Sequence, residues 1–134
     1  METRDYELMA SRTINLKLNH PNQLLNAALG LCGESGEFAD LIKKGFYQGH
    51  GLDETQREKL IKELGDILWY VNLASKLLDT SLAHIMQVNI RKLMERYPQG
   101  FSELGSRDRI DVDTHAPEIP GFEGKGLAID LRGK

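Results

Sequence analysis

Three long stretches between Pro21 and Tyr97 place apolar residues every three or four positions, and no convincing strand alternation precedes about residue 100. That period belongs to a helix, so the middle of the chain is committed to an α-helical fold. The first stretch runs from about Pro21 to Lys44 and carries Leu24, Ala27, Ala28, Leu31, Phe38, Leu41 and Ile42. Pro21 suits its first turn, Lys43 and Lys44 favour the dipole of its last turn, and Gly45 can end it. After a loop at 46–52, Asp53 is a good N-cap for a helix over Glu54–Leu78, whose apolar face holds Leu60, Ile61, Leu64, Ile67, Leu68, Val71, Ala74 and Leu78. Ser81 caps a further helix that Pro98 and Gly100 stop near Tyr97. A weaker pattern from Asp5 to Leu18 predicts a helix before His20-Pro21-Asn22.

The expected fold is therefore all-α, a bundle of about four main helices spanning residues 1–101. Residues 102–134 are rich in Gly, Pro and charge, and too poor in apolar residues for a second core. They are expected to be irregular or to pack on a partner subunit, with weak strand signals at Ile110–Val112 and Leu127–Leu131. A net charge of −3 gives no general attraction to nucleic acid or to an anionic membrane. The N-terminal METRDYELMASR has no apolar targeting core, and no stretch is long enough to span a bilayer. The single cysteine, Cys32, excludes an internal disulfide and is expected as a small buried residue. The expectation is a cytoplasmic protein without nucleic-acid or membrane partners.

The chemistry lies in a repeated spacing of acids. Glu34 and Glu37 form an E-x-x-E, and Glu63 and Asp66 form an E-x-x-D on the next helix. Residues three apart share a helical face, so each pair can present two carboxylates to one point. At about 100° per residue, Glu34 points with Ala27, Gly30 and Leu41, while Glu63 and Asp66 point with Tyr70, Ala74 and Leu77. Both pairs thus lie on or beside the apolar faces. Spacing alone also fits ordinary acids on solvated faces. Carboxylates gathered inside a bundle would repel one another, and a hard divalent cation relieves that repulsion. Mg²⁺ is the expected ion, with Mn²⁺ as a substitute; a di-iron centre would add Glu-x-x-His pairs, and none occurs.

On the last long helix, Asn89, Lys92 and Arg96 point within about 60° of one another. Such a row suits phosphate, although cations are also favoured near any helix C-terminus. An acidic metal nest together with a basic row suggests a metal–polyphosphate substrate.

The pieces GLCGESGEFADLIKK, KELGDILWYVNLASKLL and NIRKLMERYPQGF, in that order between about Leu24 and Phe101, resemble the MazG-like nucleoside triphosphate pyrophosphohydrolases of the all-α NTP pyrophosphatase superfamily. The resemblance implies Mg²⁺-dependent hydrolysis of a (deoxy)nucleoside triphosphate to monophosphate and pyrophosphate, in nucleotide-pool control. It implies metal binding by Glu34, Glu37, Glu63 and Asp66, and phosphate binding by Asn89 and Lys92 with Arg96 adjoining. Tyr70 matches an aromatic that can contact the nucleotide. Glu37, ahead of Glu34, is the expected general base. A homodimer or homotetramer is also implied. The base-selecting wall is open, with Tyr6, Asn15, His20, Phe46 and His50 as candidates, while Trp69 is expected in the core or at a subunit interface. The alternative is a catalytically silent nucleotide-binding oligomeric scaffold.

One oddity bears on this site. Gly30, Gly33 and Gly36 sit among helix-forming residues, where each costs roughly 1 kcal/mol relative to alanine. Bare backbone there would let another helix, or a metal-bound phosphate chain, approach the acids.

Overall fold

The computed structural model describes residues 1–109. Among them the structure has five helices and no strand beyond an isolated bridge between Pro98 and Gly100: α1 (Thr3–Ser11), α2 (His20–Tyr47), α3 (Glu54–Leu77), α4 (Leu82–Arg96) and α5 (Glu103–Asp108). Contacts divide the chain into one unit over Met1–Ile85 and a second beginning at Met86.

The first unit is organised by α2 and α3, which pack on each other, with α1 against α3. The α2–α3 pair is antiparallel: His20 Nε2 at the start of α2 lies 3.0 Å from the Leu77 carbonyl at the end of α3, and Gly30 abuts Tyr70 between them. Local chemistry sets the helix starts. Asn19 accepts from the Asn22 amide at 3.1 Å and Pro21 occupies the first turn of α2. Asp53 accepts from the Gln56 amide at 2.9 Å, and Ser81 from that of His84 at 3.1 Å. These side-chain oxygens satisfy amides that have no intrahelical partner.

Two helix ends differ from the sequence expectation. The first helix stops at Ser11 rather than near Leu18, because Ser11 and Thr13 donate their hydroxyls to the carbonyls of Glu7 and Ala10 and Asn15 accepts from the Lys17 amide. Such local bonds compete with helix propagation. The second helix runs through Gly45 to Tyr47. Gly45 is a seat, not a stop: a Cβ there would stand 2.6 Å from Leu52 Cδ2 and 2.8 Å from the Gly51 carbonyl. The turn itself is made by Gly49 and Gly51, at φ +73° and +70°, a region glycine enters without steric cost.

The fully enclosed part of this unit is small. Ala27, Leu73 and Leu82 are buried together with Asn72 and Ser75. Leu25, Leu29, Ile61, Leu64 and Leu68 stay exposed, so the apolar arcs of α2 and α3 are wider than the surface each covers on the other. Cys32 is exposed, correcting its expected burial; it continues the Leu25–Leu29 row at helical spacing.

In the second unit, the remainder of α4 leads into a short connection where Tyr97 and Phe101 meet with ring centroids 5.6 Å apart. Beyond it, α5 is capped by Ser102, whose Oγ accepts from the Gly105 amide at 3.0 Å. Gly105 allows close approach to the end of α4, since a Cβ there would meet the Arg96 carbonyl at 2.7 Å. The strand signals at Ile110–Val112 and Leu127–Leu131 lie outside the described residues.

Candidate active site

The middle of the α2–α3 pair brings the acids together. Glu34 and Glu37 sit one turn apart on α2, and Glu63 faces them from α3. Each of these three offers a carboxylate oxygen, and the three oxygens lie within 4.8 Å of one another. Asp66, one turn beyond Glu63, adds its charge to the same field. Glu34 feels all of this: burial, then the charges of Glu37, Asp66 and Glu63, push its carboxyl above the ordinary range. Clustered acids favour protonation or a bound cation.

The donor set passes the test for a hard divalent ion. It is all carboxylate oxygen, drawn from two rigid helices, with half-buried Glu34 and Glu63 and exposed Glu37. Sulfur and imidazole donors are absent from this group, so it would suit a hard, oxygen-preferring cation better than a softer one.

Beside the acids lies an open cleft of about 370 Å³, lined by Gly33, Gly36, Glu37, Asp40, Leu41, Lys44 and Glu63. Gly33 and Gly36 have nothing within 4 Å of where a Cβ would stand, so their bare backbone leaves space at the cleft wall. Gly30 behaves differently, because its missing side chain is replaced by the ring of Tyr70. Lys44, expected only as a favourable charge in the last turn, also lines the cleft. It stands about two turns beyond Glu37, a spacing visible in the sequence.

Tyr70 is held on a second side by Trp69, edge-on at 4.9 Å between centroids. The indole N–H of Trp69 donates to Thr13 Oγ1 at 2.7 Å and points to the Ala10 carbonyl at 3.3 Å, tying α1 to α3. Tyr6 of α1 is half-buried, and burial followed by the charge of Asp66 pushes its phenol above the ordinary value. Among the other base-contact candidates, His20 is engaged with Leu77 and Asn15 with Lys17, while Phe46 and His50 are exposed.

The basic row belongs to the second unit. Asn89 and Lys92 are exposed on α4; Arg96, at its end, is half-buried with its guanidinium 5.8 Å from the centroid of the Tyr97 ring.

The model of the MazG nucleotide pyrophosphohydrolase domain matches residues 22–101, which contain nearly all of α2, the whole of α3 and α4, the three clustered glutamates and Asp66. The chain belongs to this family. It is also similar to the Gene 37 protein of Mycobacterium phage L5, with 38% identity over 81 residues, covering 60% of this chain and 70% of the phage protein. No solved structure matches it. Among the described residues, no helix is long and apolar enough to cross a membrane.

Proposed function

We propose that this MazG-family protein hydrolyses a (deoxy)nucleoside triphosphate to its monophosphate and pyrophosphate, with Mg²⁺ held by Glu34, Glu37, Glu63 and Asp66. The observation that carries the reading is the convergence of carboxylate oxygens from α2 and α3 within 4.8 Å beside an open cleft. When bound, Mg²⁺ (or Mn²⁺) supplies charge neutralisation for the phosphates and acidifies an attacking water.

The chain's own residues do the rest. Glu37 would take the proton from water as the bond between the α- and β-phosphates breaks; its exposure and its position on the cleft wall support that role. Half-buried Glu34 and Glu63 are better suited to holding the cation. Tyr70, locked between Gly30 and Trp69, offers a fixed aromatic surface next to Asp66 for the nucleoside. For Asn89, Lys92 and Arg96 as phosphate ligands, the support is the N-x-x-K pattern of the sequence.

Residues 1–101 would form the catalytic part and 102–134 a separate tail. A homodimer or homotetramer is part of the same proposal: exposed Leu25, Leu29, Ile61, Leu64 and Leu68 leave apolar surface of the kind that subunit contacts cover. A cytoplasmic role in nucleotide-pool control completes it.

The test is a panel of (d)NTPs with Mg²⁺, with products separated by chromatography. Monophosphate plus pyrophosphate is expected, and Glu63→Ala and Asp66→Ala should abolish it. Diphosphate plus phosphate would overturn the reaction, and full activity in those variants would overturn the metal assignment. Tight Mg–NTP binding without products would instead mark a silent nucleotide-binding scaffold.

A further inference from the structure

Two neighbouring lysines on α2 differ in one respect. Lys43 and Lys44 both pair with the carboxylate of Asp40, one on each oxygen, Lys44 at 2.5 Å. The two cations hold the Asp40 carboxyl down at about 2. Only Lys44 also lines the cleft that contains Glu37 and Glu63. Lys43 is the more exposed of the two, with 54% of its side chain accessible against 40% for Lys44.

We propose that Lys44 is a phosphate-binding residue of this cleft, drawn back along the helix to Asp40 and so presenting its ammonium to a phosphate next to the one held on the acids. The inference rests on the proposed NTP reaction for its substrate, but the polyphosphate contact is a property of the cleft itself. A chain of phosphates laid against Glu37 and Glu63 needs both a cation among those acids and positive charge farther along. Lys44 stands about two turns beyond Glu37 on the same helix, and its ammonium reaches back to Asp40, about one turn or roughly 5 Å of axis beyond Glu37. That is the reach of a phosphate next to one held on the acids. The bare backbone of Gly33 and Gly36 keeps the intervening wall low.

Asp40 makes the arrangement workable. It is a shared partner, so Lys44 can turn to a phosphate while Lys43 continues to neutralise the carboxylate. An ammonium is a compact, mobile point charge suited to such an exchange. Asp40 also limits how far Lys44 can fold back onto Glu37, where it would compete with the divalent ion.

The matched pair supplies the experiment. Full-length wild type, Lys44→Met, Lys43→Met and Lys44→Arg proteins are titrated by calorimetry with Mg²⁺ alone and with inorganic tripolyphosphate in the presence of Mg²⁺. Lys44→Met should weaken tripolyphosphate roughly tenfold or more, the loss expected for a hydrogen bond to a charged group. Lys43→Met should leave it within about twofold, since exposed pairs contribute little. Lys44→Arg should recover most of the affinity, and Mg²⁺ alone should bind all four proteins equally. In turnover, Lys44→Met should raise KM with kcat nearly unchanged, marking binding shared by ground and transition states. Equal losses in Lys43→Met and Lys44→Met, or no loss in either, would overturn the proposal. If wild type binds tripolyphosphate through Lys44 but turns over no NTP, the reaction fails while the phosphate site stands. Thermal melts of each variant separate loss of binding from loss of fold.

Discussion

The ring of Tyr70 rests on the backbone of Gly30: a Cβ at that glycine would stand 2.1 Å from Tyr70 Cε1 and 2.2 Å from Cζ. Gly33, one turn on, has nothing within 4 Å of the equivalent point. The two glycines should therefore respond oppositely to the same change. Gly33→Ala should stabilise the protein by up to about 1 kcal/mol through helix propensity. Gly30→Ala gains the same propensity but must displace the ring, and overpacking of this kind costs about 1–3 kcal/mol. Urea unfolding of both variants decides it; equal stabilisation would show that the ring is not seated there. Gly30→Ala should also weaken nucleotide binding, because Tyr70 leaves its place beside Asp66.

That contrast shows where sequence reading reaches its limit. Helical periodicity and the two acid pairs are local patterns, so the helices α2 to α4 and the approach of Glu63 to Glu34 and Glu37 are legible in the sequence, whereas Asp66, expected with them, is not in the group of three oxygens. The roles of the three glycines are not legible there, because Gly30 is explained by a residue forty positions away across a helix pair. Gly45 misled for a similar reason: its bare α-carbon serves loop residue Leu52, and the turn is left to Gly49 and Gly51. Cys32 was expected inside because small apolar residues usually are, yet α3 covers only one arc of α2 and Cys32 lies on another.

The tie between α1 and α3 runs through one indole. Trp69→Phe keeps the aromatic contact with Tyr70 but removes the N–H that reaches Thr13 and the Ala10 carbonyl. The expected cost is about 1 kcal/mol, the net value of an ordinary hydrogen bond. Faster hydrogen exchange should appear in α1 and leave most of α2 unchanged. Glu7→Gln tests the other anchor, since Glu7 accepts from the Leu82 amide at 2.6 Å; a neutral acceptor there should loosen the start of α4.

Glu34 makes stability depend on pH and on metal together. Its carboxyl is raised above the ordinary 4.5, by burial first and then by Glu37, Asp66 and Glu63, so the folded chain holds the proton more tightly than the unfolded chain. Ionising Glu34 therefore opposes folding: stability is lost as pH rises from 4.5 through the folded value, and the loss is complete above it. In EDTA, Glu34→Gln should raise Tm at neutral pH, and that gain should shrink as the pH falls toward 4.5. Added Mg²⁺ should reverse the order by stabilising wild type more than the variant. A Tm difference unaffected by both pH and Mg²⁺ would remove the electrostatic basis of the cluster.

Asn72 is a fully buried amide whose Nδ2 and Oδ1 both lack hydrogen-bond partners among the described residues. Its backbone carbonyl accepts from Ser75 Oγ at 2.8 Å, a bond that does not need the amide side chain. An unsatisfied buried polar group costs about 1–3 kcal/mol, and asparagine is also a poorer helix former than alanine. Asn72→Ala removes both penalties and gives up the packing of a short side chain. The variant should unfold at the same urea concentration as wild type or a higher one. A loss of more than about 1 kcal/mol would mean that the amide is satisfied in solution by a buried water. A Ser75→Ala control should instead be destabilised by about 1 kcal/mol or less, since it removes a single satisfied bond.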